Sequence, residues 1–152
     1  MIDSDTHPDE YYMREAIRQA QHSYDHQEIP VGCVVVCKNR IVAKAYNQVE
    51  MLNDATAHAE MIALTSAFNY LGAKYLTDCI LYVTLEPCTM CAGAMHWAQI
   101  GKLVYGASDP QKGFSNIRHK ILHPKTEIIS GVLSFECKQI IDKFFTRIRK
   151  EN

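Results

Sequence analysis

Ile80–Leu85 (ILYVTL), Cys88–Ile100 (CTMCAGAMHWAQI) and Leu103–Gly106 (LVYG) follow one another with hardly a spacer between them. The outer two are short, apolar and rich in strand-forming residues, while the middle run reads as a helix ended by Gly101. Strand, helix and strand in that order imply parallel pairing through a right-handed crossover. Upstream, Val31–Cys37 and Ile41–Tyr46 flank Lys38-Asn39-Arg40 as a hairpin, and Ala57–Leu71 is a helical run ended by Gly72. Before them, Tyr12, Met13, Ala16, Ile17, Ala20 and Tyr24 recur at helical spacing, which predicts a first helix over about 9–24 with Thr6 as its cap. Downstream, 107–125 breaks into Gly, Pro, Ser, Asn and charge and reads as a long loop. A short strand at Glu127–Ile129 and a last helix capped by Ser134 complete the order α-β-β-α-β-α-β-loop-β-α. The expected architecture is a three-layer α/β/α domain around a mixed central sheet of about five strands.

At 152 residues with 47% apolar side chains, the chain is expected to form one domain, residues 1–152, with residues 1–8 lacking fixed structure. No apolar run approaches the eighteen or so residues of a membrane span, and the acidic start is unlike a secretory or mitochondrial leader. A cytoplasmic location is expected. The net charge of −1 argues against non-specific coating of nucleic acid. That total hides an acidic first half and a basic second half, and the basic residues gather past Arg118, where they could meet phosphate locally. Of the six cysteines, Cys33, Cys37, Cys79 and Cys137 sit in or beside apolar patterns and read as small buried hydrophobes.

Cys88 and Cys91 differ, because they share a helix start with Pro87. Thiols at i and i+3 lie on one helix face, and the positive end of the helix dipole favours the thiolate that binds metal. His58-Ala59-Glu60 opens the preceding helix. Two thiolates and one imidazole suit Zn²⁺, and three protein ligands leave the fourth tetrahedral position open, which marks a catalytic rather than a structural zinc. Glu60 lies roughly 200° around a helix from His58, so one side chain can hold the metal while the other faces substrate. A carboxylate there can carry a proton from water to a leaving nitrogen. By composition, His-x-Glu is expected by chance roughly 0.4 times in this chain and Pro-Cys-x-x-Cys about 0.008 times, so the pair is specific where either alone is less so. A redox Cys-x-x-Cys leaves His58 and Glu60 unexplained, and a zinc knuckle lacks its second ligand pair.

The combination resembles the signature of zinc nucleobase deaminases. With Glu28-Ile29-Pro30-Val31-Gly32, Ala57-His58-Ala59-Glu60-Met61, Tyr82 through Met95, and Tyr105-Gly106-Ala107-x-Asp109, the chain is similar over most of its length to bacterial tRNA-specific adenosine deaminases of the cytidine/deoxycytidylate deaminase superfamily. The resemblance implies the cytidine-deaminase-like fold, a homodimer, one zinc per subunit, and hydrolysis of adenosine to inosine at the wobble position of a tRNA anticodon, with release of ammonia. It implies His58, Cys88 and Cys91 as zinc ligands and Glu60 as proton shuttle. It also implies Asn47 as a base contact, Asp109 near the target ribose, and Phe145 as the aromatic that meets the anticodon loop. The chain departs from the family pattern at Ile148, where a basic residue is usual, and in a shorter loop over 115–125. His96, His119 and His123 are further candidates for RNA contact. Two rivals share the fold: a deaminase of free bases or nucleosides, and a non-catalytic RNA-binding subunit, which would typically lack Glu60.

Overall fold

The computed structural model describes residues 7–151, in which a five-stranded sheet runs in the order β2-β1-β3-β4-β5. Its strands are β1 (Gly32–Cys37), β2 (Arg40–Tyr46), β3 (Cys79–Leu85), β4 (Lys102–Ala107) and β5 (Glu127–Ser130). The helices are α1 (Pro8–Asp25), α2 (Ala59–Leu71), α3 (Thr89–Ala98) and α4 (Ser134–Glu151), with a single 3₁₀ turn at Phe114–Asn116. β1 is antiparallel to both β2 and β3, whereas β3, β4 and β5 are parallel. The sheet is therefore mixed, and the expected α/β class and parallel β3–α3–β4 crossover are both present.

Alternation along the strands sorts the core into two layers. Cys33, Val35, Leu81, Val83 and Leu103 face α2 and α3, where they meet Ala63, Leu64, Ala67, Cys91 and Met95. Val34, Val36, Tyr82 and Val104 face the other way, onto Tyr12, Met13 and Ala16 of α1 and Cys137 of α4. Met13 and Leu81 are fully buried, and burying such a side chain is worth about 1.5–3 kcal/mol. α1 is also tied to β3 by the Tyr82 hydroxyl, which donates to Asp9 Oδ1 at 2.7 Å inside the protein. The hairpin closes on Lys38 and Asn39, both left-handed (φ 52° and 64°), the conformation whose twist suits a two-residue loop.

Three boundaries differ from expectation. Gln99, not Gly101, terminates α3 in the left-handed region (φ 52°). Gly101 is instead required by close approach, since a Cβ there would lie 2.3 Å from the Thr77 carbonyl oxygen. Ser134 is the first residue of α4 rather than its cap. At the N-terminus the expected Thr6 cap lies outside the described residues. His7 caps α1, its Nδ1 accepting from the Asp9 N–H at 3.2 Å, and Pro8 opens the helix, so His7 and Pro8 have fixed structure. Of the six cysteines none is in a disulfide; Cys33, Cys79 and Cys137 are buried and Cys37 is half-buried, as small core residues should be. No helix among the described residues is long and apolar enough to cross a membrane.

Candidate active site

The parallel strands β3 and β4 end side by side, and the chain leaves β3 through Glu86 and Pro87 into Cys88, the N-cap of α3. His58 is likewise the N-cap of α2. Both residues have the extended backbone of a cap (φ −71°, ψ 150° and φ −73°, ψ 174°), yet neither side chain caps its helix. They turn toward each other instead. His58 Nδ1 is 3.5 Å from Cys88 Sγ and 3.5 Å from Cys91 Sγ, and the three potential ligand atoms lie within 4.8 Å of one another.

This spacing can be tested against zinc chemistry. Zn–S near 2.3 Å and Zn–N near 2.0–2.1 Å in tetrahedral geometry put nitrogen and sulfur about 3.6 Å apart. The donor set fits. Charge follows the same geometry: hydrogen bonding from Cys91, aided by His58, holds the Cys88 thiol well below its ordinary value, at about 4. The same bond to Cys88, with burial, pushes Cys91 up. His58 is raised, chiefly by its hydrogen bond with Cys88. Glu60, in the first turn of α2, is 4% exposed, and burial raises its carboxyl to about 7. A group with that value can both hold and release a proton at neutral pH.

His58, Glu60 and Cys88 form the floor of a cavity of about 440 Å³ at the carboxyl ends of the parallel strands, the usual place for a ligand in an open α/β sheet. Asn47 lines one wall. Its Nδ2 donates to the Ile29 carbonyl at 3.0 Å, and its buried Oδ1 has no protein partner. Asp109 also lines the cavity, with Oδ1 accepting from the Gln111 and Lys112 amides at 3.0 Å, which folds its own turn. Phe145 reaches the rim from α4, while its neighbour Phe144 is core. All seven residues singled out by sequence therefore border one cavity or, for Cys91, its metal cluster. His96, His119 and His123 do not line it; His119 and His123 line a separate groove, and the His96 and His123 rings lie 5.7 Å apart. Sequence reasoning passed over Lys112 and Lys138 and gave Glu86 no role of its own, though all three line it. Only Glu86 carried a signal, an acid at the end of an apolar strand directly before Pro87.

Comparison with known proteins agrees with this geometry. The family of the cytidine and deoxycytidylate deaminase zinc-binding region matches residues 6–107. The tRNA-specific adenosine deaminase of Bacillus subtilis (strain 168) is 40% identical over 148 residues, covering 94% of this chain and 92% of that protein. Among solved structures, one from work on A-to-I editing by tRNA:A34 deaminases at the wobble position of transfer RNA superposes with a TM-score of 0.79. It is 37% identical and covers 86% of this chain and 98% of its own. A guanine deaminase of Bacillus subtilis is 40% identical over a smaller share, 65% of this chain and 64% of its own, with a TM-score of 0.62. The chain belongs to the zinc-binding cytidine and deoxycytidylate deaminase family and, within it, groups with the tRNA-specific adenosine deaminases.

Proposed function

We propose that this protein hydrolyses adenosine to inosine at the wobble position of a tRNA anticodon and releases ammonia. The observation that carries the reading is the zinc-spaced triad of His58, Cys88 and Cys91 beside the buried carboxyl of Glu60, at the floor of a walled cavity. His58, Cys88 and Cys91 hold the ion. When bound, zinc supplies Lewis acidity that makes water a usable nucleophile at neutral pH. Glu60 takes a proton from that water and delivers it to the departing amino group. Oxygen bonds to C6 of the purine, the C6–N bond breaks, and the two water hydrogens are shared between ammonia and the new keto product.

The walls hold the substrate. Asn47 offers its unpaired acceptor oxygen to the inserted nucleotide, Asp109 stands beside the ribose, and Phe145 supplies an aromatic face for a neighbouring base. We further infer a cytoplasmic homodimer of one-domain subunits. One sheet carrying all four helices supports the single domain, and the exposed Tyr70 and Trp97 on the outer sides of α2 and α3 support a second copy. A free-base deaminase is the second reading, favoured by the likeness to the Bacillus subtilis guanine deaminase. The presence of Glu60 sets aside a non-catalytic subunit.

The deciding experiment incubates the zinc-loaded protein with an anticodon stem-loop bearing a wobble adenosine, and separately with free adenosine, guanine and cytidine. Inosine in the stem-loop is expected, lost on chelation and restored by Zn²⁺. Ammonia from guanine alone would decide for the second reading.

A further inference from the structure

Glu86 lies between β3 and Cys88, and its side chain is 3% exposed. It makes no ion pair among the described residues. A buried carboxylate left without compensation is expensive, so its charge must be met elsewhere. Backbone amides meet it: Oε1 accepts from the Asp109 N–H at 3.1 Å and Oε2 from the Ser115 N–H at 2.9 Å. Hydrogen bonds to an ionised acceptor are roughly twice as strong as neutral ones. Gly113 passes directly over the group; a Cβ there would lie 2.3 Å from Cδ and 2.5 Å from each carboxylate oxygen. The segment 109–115 is thus wrapped around one buried charge. Main-chain bonds join the same two segments, with Glu86 N–H donating to Ala107 O at 2.8 Å and Phe114 N–H to Pro87 O at 2.9 Å.

We propose that Glu86 is a positioning residue, which holds the wall bearing Asp109 and Lys112 at a fixed reach from the metal ligand Cys88. The inference rests on the tRNA deaminase reading above. Proton transfer is assigned to Glu60 beside the ligands, while each Glu86 oxygen accepts from a backbone amide of the wall. It determines whether the flanks of the target nucleotide meet the wall while the base meets the floor. Glutamate is the residue this task needs. A glutamine turns an N–H₂ toward an amide that is itself a donor, and an aspartate is one methylene short. The same device recurs beside Asn47: Glu28, 1% exposed, accepts from the Glu50 and Met51 amides at 2.9 and 2.7 Å and so holds the loop that follows Asn47.

The test is steady-state kinetics on the wobble-adenosine stem-loop with zinc-loaded wild type, Glu86→Gln and Gly113→Ala, alongside zinc content and melting temperature. In Glu86→Gln we expect one zinc per chain, kcat within about threefold, and a KM raised at least about tenfold, since wall contacts act alike in ground and transition states. Gly113→Ala, whose added methyl displaces the carboxylate, shows the same split. A wild-type KM in Glu86→Gln overturns the proposal, as does a fall in kcat with zinc loss at unchanged KM. Should the variants not fold, amide exchange in the wild type is decisive. The Asp109 and Ser115 amides exchange at least about tenfold more slowly than in a free peptide, and free-peptide rates at both overturn the tether. A wild type inactive on the stem-loop refutes the function instead, and the exchange experiment still judges the tether.

Discussion

On the α1/α4 face of the sheet the first helix is capped, with His7 Nδ1 accepting from the Asp9 amide and Asp9 and Glu10 in the first turn. On the α2/α3 face both helices open on residues with cap geometry whose side chains do no capping, His58 and Cys88. A good side-chain cap is worth about 1 kcal/mol. Both faces leave aromatic side chains in solvent, Tyr70 and Trp97 (69% and 80% exposed) on α2 and α3 and Phe135 (74% exposed) on α4. Among the described residues the α1/α4 face holds no metal ligand, although α4 lends Lys138, Ile141, Asp142 and Phe145 to the cavity. The other face gives up some stability so that two helix N-termini can present ligands to one point. This division predicts that mutations at the ligand-bearing helix starts and under α1 separate in kind, activity at the first and stability at the second.

The largest separation should come from Glu60→Gln. The variant keeps the triad and one zinc per chain, and its turnover on the stem-loop falls about 10²–10⁴-fold, the usual worth of a general acid–base. Its unfolding free energy should not fall, because the replaced group is a buried carboxyl raised by desolvation. Zinc measured by metal analysis, with initial rates of inosine formation, checks this. Near-normal turnover would remove Glu60 from its role.

Next comes Met13→Ala on the opposite face. Met13 is fully buried between α1 and the sheet, so truncation should cost about 2–5 kcal/mol in chemical denaturation. The kcat of the folded fraction should be unchanged, since Met13 does not line the cavity and only Leu85 and Ala107 border both the cavity and that layer. A fall in kcat without a fall in stability would mean that the faces are coupled through the sheet.

What sequence could reveal of this division follows from the range of the interactions. His58, Glu60, Cys88 and Cys91 were legible because helix starts and short spacings are local, and two such starts beside parallel strands must converge. The unbroken apolar run Val31–Cys37 suits a strand buried on both sides, and in the fold Val34 and Val36 face one layer while Cys33 and Val35 face the other. Gly101 was misread as a terminator because the contact that demands it, with Thr77, lies in a different segment of the chain. What Glu86 and Glu28 hold was silent for the same reason: their partners are amides 22 to 29 residues away, and a backbone donor leaves no mark in composition. Asp109-Pro110 reads as a turn from sequence, and Asp109 does accept from the Gln111 and Lys112 amides of that turn while lining the cavity.

The smallest effect tests the comparison most directly. Cys88 already has the dihedral angles of an N-cap, and serine is among the best residues at that position whereas cysteine is not favoured there. Cys88→Ser should therefore gain what the functional face gives up. With zinc removed from both proteins, the variant is expected to be more stable than wild type by about 1 kcal/mol in urea denaturation, as the serine hydroxyl accepts from an amide of the first turn of α3. With zinc supplied, the order should reverse, because only the wild type gains from binding the ion to its native state. A metal-free variant less stable than wild type would show that Cys88 serves the fold in its own right, and that the uncapped helix is not a consequence of the site.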